Sequence, residues 1–167
     1  MNTDRRWIAR MTAAAFLAGG VASAHTGSEG GKAAYDYSKA QEMPFGIAAD
    51  SRKARRVVNI EMSDTMRFTP AQIIVKRGDT VRFVAKNGGK LPHEMVLGTK
   101  TELAEHAEMM KKHPEMEHDE PHMLHVAPGG SGEMGWRFTK AGEFLYGCLQ
   151  PGHFEAGMVG KITVREK

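Results

Sequence analysis

Cys148-Leu149-Gln150-Pro151-Gly152-His153-Phe154-Glu155-Ala156-Gly157-Met158 is the run that decides how this chain is read. It holds the only cysteine, a histidine five residues on and a methionine five beyond that. Pro151-Gly152 marks a turn between the first two. Thiolate, imidazole and thioether on one short loop form a soft donor set, which suits copper and above all Cu(I); two His, one Cys and a weak axial Met make a mononuclear electron-transfer copper site. That set needs a second imidazole, and the candidate is His93, in Gly89-Lys90-Leu91-Pro92-His93-Glu94.

The flanks of the run alternate in polarity. Phe144, Tyr146 and Cys148 fall on one face of a strand over Glu143 to Cys148. Met158, Gly160, Ile162 and Val164 fall on one face of a strand over Met158 to Arg165. Cys148 and Met158 therefore end two inward rows. Further upstream, Val57, Val58, Ile60 and Met62 predict a strand. Phe68 to Val75 predicts another, bent or pushed to an edge by Pro70. Thr80 to Lys86 alternates, with Val81, Phe83 and Ala85 inward. His93 to Gly98 and Glu133 to Phe138 complete the set. Turns are expected at Arg77-Gly78-Asp79, Asn87-Gly88-Gly89 and Lys140-Ala141-Gly142. About seven short strands predict an all-β fold, an antiparallel Greek-key β-sandwich. The one helical segment is Thr101 to His113, with Thr101 as its cap and Pro114 as its stop. Residues 114–128 read as irregular.

The N-terminal residues read as a targeting signal. Arg5, Arg6 and Arg10 precede the Ala-rich run Met11 to Val21 and the small-residue site Ala22-Ser23-Ala24. The run is too short to span a membrane. Arg5-Arg6 also resembles a twin-arginine signal. Cleavage after Ala24 is expected, with export to the periplasm and no membrane span in the mature chain. Residues 25–54 then form a flexible arm and 55–167 the folded domain, with residues 101–128 as an insertion. Arg5, Arg6 and Arg10 less Asp4 account for +2 of the formal +3 charge, so the mature chain is near neutral and charge gives no case for nucleic-acid binding. A single cysteine excludes an internal disulfide.

Residues 55–167 resemble the cupredoxin family of type 1 copper proteins. The resemblance is carried by Phe68-Thr69-Pro70, Ile73-Ile74-Val75, Gly78-Asp79-Thr80-Val81, Leu91-Pro92-His93 and Phe144 to Cys148 followed by Pro-Gly-His and Met. The gaps around the loop histidine look most like the rusticyanin and auracyanin arrangement. The chain as a whole, with its Glu-His-Ala-Glu-Met-Met insertion, looks similar to periplasmic cupredoxins linked to copper tolerance. The resemblance implies Cys148 as thiolate ligand, His93 and His153 as equatorial imidazoles and Met158 as axial thioether. It also implies a bond from the Glu94 backbone N–H to the Cys148 sulfur, with Asn87 as a brace on the ligand loop. It further implies one-electron transfer to a redox partner such as a cytochrome or oxidase, docking near His153.

Taken singly, each ligand has a plain reading: a buried small thiol, a core methionine, a loop histidine. Their order and shared faces favour copper. Gly147 and Leu149 flank Cys148 where coupled multicopper oxidases need histidines, which disfavours an enzyme, cuprous oxidase activity being the enzymatic alternative. Structural zinc wants several Cys or His and no Met. The insertion holds His106, Met109, Met110, His113, Met116, His118, His122, Met123 and His125, a density that could hold additional copper. His25, exposed by cleavage, adds an amine and an imidazole. The alternative function is a periplasmic copper buffer or chaperone using this insertion, with redox cycling incidental. A monomer is expected.

Overall fold

The computed structural model describes residues 35–116 and 119–167. The signal, Ala24, His25 and His118 lie outside them. Two sheets face each other across one apolar core. The first contains β1 (Glu42–Met43), β2 (Gly46–Ala48), β3 (Arg56–Ser63), β4 (Arg67–Thr69), β6 (Thr80–Asn87) and β9 (Ser131–Arg137), in the order β1-β2-β9-β6-β3-β4. The second contains β5 (Gln72–Lys76), β7 (His93–Gly98), β8 (Met123–Val126), β10 (Gly142–Gly147) and β11 (Val159–Arg165), in the order β5-β11-β10-β7-β8. Both sheets are mixed rather than purely antiparallel, because β3 pairs parallel with β6 and β5 parallel with β11.

Alternation does what the sequence pattern predicts. Val58, Ile60 and Met62 on β3, Val81, Phe83 and Ala85 on β6, and Ile162 and Val164 on β11 are buried, with polar residues between them facing out. Trp136 and Tyr146 are the largest wholly buried side chains. Each places its polar atom: Trp136 Nε1–H donates to the Phe45 carbonyl at 2.9 Å and the Tyr146 hydroxyl to the Pro70 carbonyl.

Four expectations are corrected. Phe68 to Val75 is not one strand. Pro70 has no N–H to continue the ladder, and the chain crosses there from β4 in one sheet to β5 in the other. Residues 25–54 do not all form an arm: Phe45 and Ala48 are buried in the core, and β2 pairs with β9. The helix α1 (Lys100–Lys112) is capped by Thr99, not Thr101. Thr99 and Glu102 form a reciprocal capping box, in which the Thr99 hydroxyl oxygen accepts from the Glu102 N–H and the Glu102 carboxylate accepts from the Thr99 N–H. Residues 114–128 are not wholly irregular, since β8 adds an edge strand to β7.

Helix α1 lies on the outer face of the second sheet through its own apolar cluster. Leu103, Ala107 and Met110 meet Val96, Met123 and Leu149, with Leu145 and Phe154 against them. The insertion is thus tied to the loop that follows β10. Among the described residues no helix is long and apolar enough to cross a membrane.

Gly160 on β11 allows Tyr146 to reach its seat. A Cβ at position 160 would lie 2.0 Å from the tyrosine Cζ, and Tyr146 is wholly buried with no room to retreat. Gly160→Ala is expected to lower stability by about 1–3 kcal/mol, the usual cost of forcing atoms into a filled core. Urea denaturation with an unchanged m-value checks it.

Candidate metal centre

The centre lies where β7 begins and β10 ends. β10 pairs antiparallel with both β7 and β11, so the start of β7, the end of β10 and the start of β11 meet at one end of the sheet. His93 opens β7, Cys148 follows β10, and Met158 precedes β11. The connecting loop is short and closed by its own backbone. Cys148 N–H donates to the Met158 carbonyl at 3.1 Å, Met158 N–H to the His153 carbonyl at 3.0 Å and His153 N–H to the Gln150 carbonyl at 2.9 Å. Gly157 takes φ +90°, and Arg67 Nη1, which donates to the Ala156 carbonyl at 2.9 Å, sits 3.2 Å from where a Cβ would be. Both facts favour glycine there.

Three donor atoms converge. Cys148 Sγ is 3.3 Å from His153 Nδ1 and 3.9 Å from His93 Nδ1, and the three atoms lie within 4.8 Å of one another. The two rings are 5.1 Å apart between centroids. Cys148, His93 and Met158 are buried and His153 is half-buried at the rim. Such spacings are what one ion at ordinary metal–nitrogen and metal–sulfur lengths of about 2.0–2.3 Å can bridge. The donor set is soft, and among the described residues this is the single place where three His, Cys, Asp or Glu donors gather. The residues present therefore fit copper.

His93 and Cys148 are each held by a group other than a metal. His93 Nε2 is 3.1 Å from Asp64 Oδ1, in the turn between β3 and β4. Asp64 also accepts the Lys90 N–H at 2.7 Å and the Leu91 N–H at 3.2 Å, so one carboxylate fixes both the His93 ring and its loop. The Lys90 bond foremost holds the Asp64 carboxyl below its ordinary range. Asn87, wholly buried, donates from Nδ2 to the Leu91 carbonyl at 2.8 Å and the Val126 carbonyl at 3.0 Å. The Glu94 N–H donates to Cys148 Sγ at 3.3 Å.

The Glu94 side chain supplies a second brace. Buried at 4% exposure, it accepts from Gln150 Nε2 and stands 3.1 Å from His125 Nδ1, joining β7, β8 and the ligand loop. Burial pushes its carboxyl up, but the His125 hydrogen bond and charge and the Gln150 bond outweigh burial and hold it below the usual glutamate range. Burial pushes the Cys148 thiol up to about 11. Burial, then the neighbouring His93, holds His153 below its ordinary value.

Among the described residues, the histidines of the insertion do not gather in the same way. Met110 and Met123 are buried in the apolar cluster under α1. Met109 and Met116 are exposed, His106 is half-buried, and the exposed His113 caps the helix 3.8 Å from Glu115. His122 lies edge-on to Phe45 and Trp136, and His125 meets Glu94. His106, Met109 and Met110 on α1 and His113 at its C-cap follow helical spacing, yet Met110 turns into the cluster between α1 and the second sheet while Met109 faces out. Sequence reasoning missed Asp64, Gln150, Arg67 and the Glu94 carboxylate. Asp64 lies 29 residues before His93, so no local spacing could have joined them.

Residues 54–165 match the family of copper binding proteins described as the plastocyanin/azurin family. A copper-resistant cuproprotein, CopI, of Rubrivivax gelatinosus is 54% identical over 143 residues, covering 86% of this chain and 82% of that one. Its namesake in Pseudomonas aeruginosa is 37% identical, covering 77% and 86%. Among solved structures, auracyanin B aligns with a TM-score of 0.58 at 23% identity, covering 72% of this chain and 96% of that one, a likeness of fold.

Two outcomes follow from these contacts. Asp64→Ala frees the His93 ring and is expected to weaken copper retention by roughly 10–100-fold, the usual effect of removing a ligand's outer partner; competition with a copper chelator measures it. The raised Cys148 thiol also makes the copper-free protein pH-sensitive. Below the unfolded thiol value near 9 its contribution is fully present, and it is lost as pH rises towards the folded value of about 11. Stability should therefore fall between these values by roughly 2–3 kcal/mol more in the wild type than in Cys148→Ala, as denaturation at stepped pH would show.

Proposed function

Since the chain belongs to the plastocyanin/azurin family of copper-binding proteins, we propose that it is an exported type 1 copper protein that passes single electrons and serves copper tolerance. The observation that carries this reading is the convergence of two imidazole Nδ1 atoms on one buried thiol, with Met158 wholly buried at the end of the same loop. His93, Cys148, His153 and Met158 would hold the metal. Copper bound there supplies a one-electron couple between Cu(I) and Cu(II).

The chain's own residues suit that couple in three ways. The donors are pre-positioned by Asp64, Asn87, Glu94, Gln150 and Arg67, so they need not be rearranged when charge changes. The site is dry on three sides, with Cys148, His93 and Met158 buried, which strengthens the pull of the Glu94 N–H on the sulfur. His153 alone reaches the rim, where Pro151, Gly152, Ala156 and Gly157 are exposed, small or apolar neighbours. That edge suits brief docking of a redox protein such as a cytochrome or oxidase. The names of the relatives support a role in copper tolerance, and the residues 5–24 support export.

The deciding experiment is an absorption spectrum of the copper-loaded protein beside Cys148→Ser. An intense visible thiolate-to-copper band, absent from the variant, is expected; a colourless wild type would falsify the site. Phe154 packs under α1, so the docking edge is better probed at exposed Ala156. Ala156→Glu should slow electron transfer to a partner several-fold and leave the visible band unchanged. If it leaves the rate unchanged while Cys148→Ser still abolishes copper tolerance in cells, the copper-buffer reading gains.

A further inference from the structure

The strongest charged feature away from the metal centre is a groove of about 530 Å³ at the other pole of the sandwich. Its walls come from three separate parts of the chain: the approach to β3, the β5–β6 turn and the C-terminal residue. They bring together the side chains of Lys53, Arg55, Arg56, Lys76, Arg77 and Lys167, against one acidic side chain in the lining, Asp79, with the Glu166 side chain and the main-chain carboxylate of Lys167 beside them. β6 starts at this groove and ends at Asn87, which holds the His93 loop. Eight extended residues separate the two poles by about 23 Å at roughly 3.3 Å per step, so the groove is no part of the copper site.

The groove's electrostatics are unbalanced. Asp79 turns one oxygen onto the Lys76 backbone N–H at 2.9 Å. Arg77 pairs with Glu166 at 2.8 Å. The other five cations make no salt bridge among the described residues, and all are exposed. Arg56 is held in place by donating from Nη1 to the Ile74 carbonyl, which leaves its remaining N–H groups for a ligand. The backbone offers little: the Arg77, Gly78 and Asp79 amides are already bonded to the Arg165, Phe138 and Lys76 carbonyls. Recognition here falls to side-chain ammonium and guanidinium groups. Like charges gathered in a concave site repel one another and focus a positive potential. Guanidinium forks match tetrahedral oxyanions, and lysines add point charge. Because the residues 25–167 are near neutral overall, this is a local concentration and not a share of a basic surface.

We propose that this pole is a receptor for phosphate-bearing anions, either a soluble polyphosphate group or the phosphate headgroups of an anionic lipid surface. Binding there leaves the His153 edge facing away and free.

Wild-type protein, loaded with copper, is titrated with sodium pyrophosphate by calorimetry in about 20 mM salt, where screening is weak. In parallel it is sedimented with vesicles of phosphatidylcholine alone and of phosphatidylcholine with phosphatidylglycerol. Two triple variants of equal charge change are compared: Lys53→Gln/Arg55→Gln/Lys76→Gln in the groove, and Lys86→Gln/Lys100→Gln/Lys112→Gln outside it. The visible band and melting temperature report folding of each. Pyrophosphate binding that weakens about tenfold or more in the groove variant only identifies a soluble phosphate ligand. Capture by phosphatidylglycerol vesicles alone, lost in the groove variant only, identifies the headgroup surface. Equal losses in both variants would reduce the effect to net charge and overturn the proposal, as would a wild type that binds neither probe.

Discussion

The constraint on which the rest depends is the burial of one thiol. Cys148 is wholly enclosed, and its proton comes off only with difficulty while no cation is near. A buried thiolate without compensation is costly. Among the described residues, the backbone N–H groups of Glu94 and Gln150 and two imidazole nitrogens face a charge at that point. A soft cation completes the account, and binding it releases the proton. The three donors must then stay in place before the cation arrives, which explains why so much hydrogen bonding is spent on a short loop.

That need accounts for features far from the sulfur in sequence. Asp64 holds the His93 ring from the turn after β3. Arg67 clamps the end of the ligand loop from β4. Gln150 reaches back to Glu94, and Glu94 in turn meets His125 on β8. The strands that carry these residues belong to both sheets, so the site tests whether the whole sandwich is correctly assembled. Helix α1 adds a further restraint, because Leu103 and Phe154 share one apolar cluster with Leu149, next to the cysteine. The exposed Lys111–Glu155 pair at 2.6 Å adds little to it. The insertion therefore buttresses the loop from outside, and its Met110 and Met123 are used as packing.

Cys148 and Met158 could be singled out in the sequence because they lie at strand ends with period-2 patterns beside them. Phe144, Tyr146 and Cys148 could be placed inward from alternation alone, and so could Gly160, Ile162 and Val164. The sandwich followed from strand spacing. What could not be read was pairing. Nothing local says that β3 runs parallel to β6 or β5 to β11, and nothing in Phe68 to Val75 says that the chain changes sheet at Pro70. The same blindness hid Asp64 and the Glu94 carboxylate, which matter only because of residues brought to them across the fold. Residues 42–48 were misread for a related reason. Met43, Phe45 and Ile47 are apolar, but Pro44 and Gly46 between them break the strand signal. Even so, the Phe45 carbonyl receives the Trp136 indole and the Phe45 ring stacks on it at 5.2 Å.

The Met and His density of the insertion shows how composition and geometry part company. Counted along the chain, the residues invite a second copper site. Placed in the fold, they face different ways: methionines inward to an apolar cluster, His125 to a carboxylate, His122 to aromatic rings, Met109 and Met116 to water. A thioether in a filled core is not available as a ligand, whereas an imidazole that bonds a carboxylate through one nitrogen can ligate through the other, as the Asp64–His93 pair is arranged to do. What the insertion lacks is convergence: among the described residues its side chains are spread over two faces of α1, the segment after it and β8.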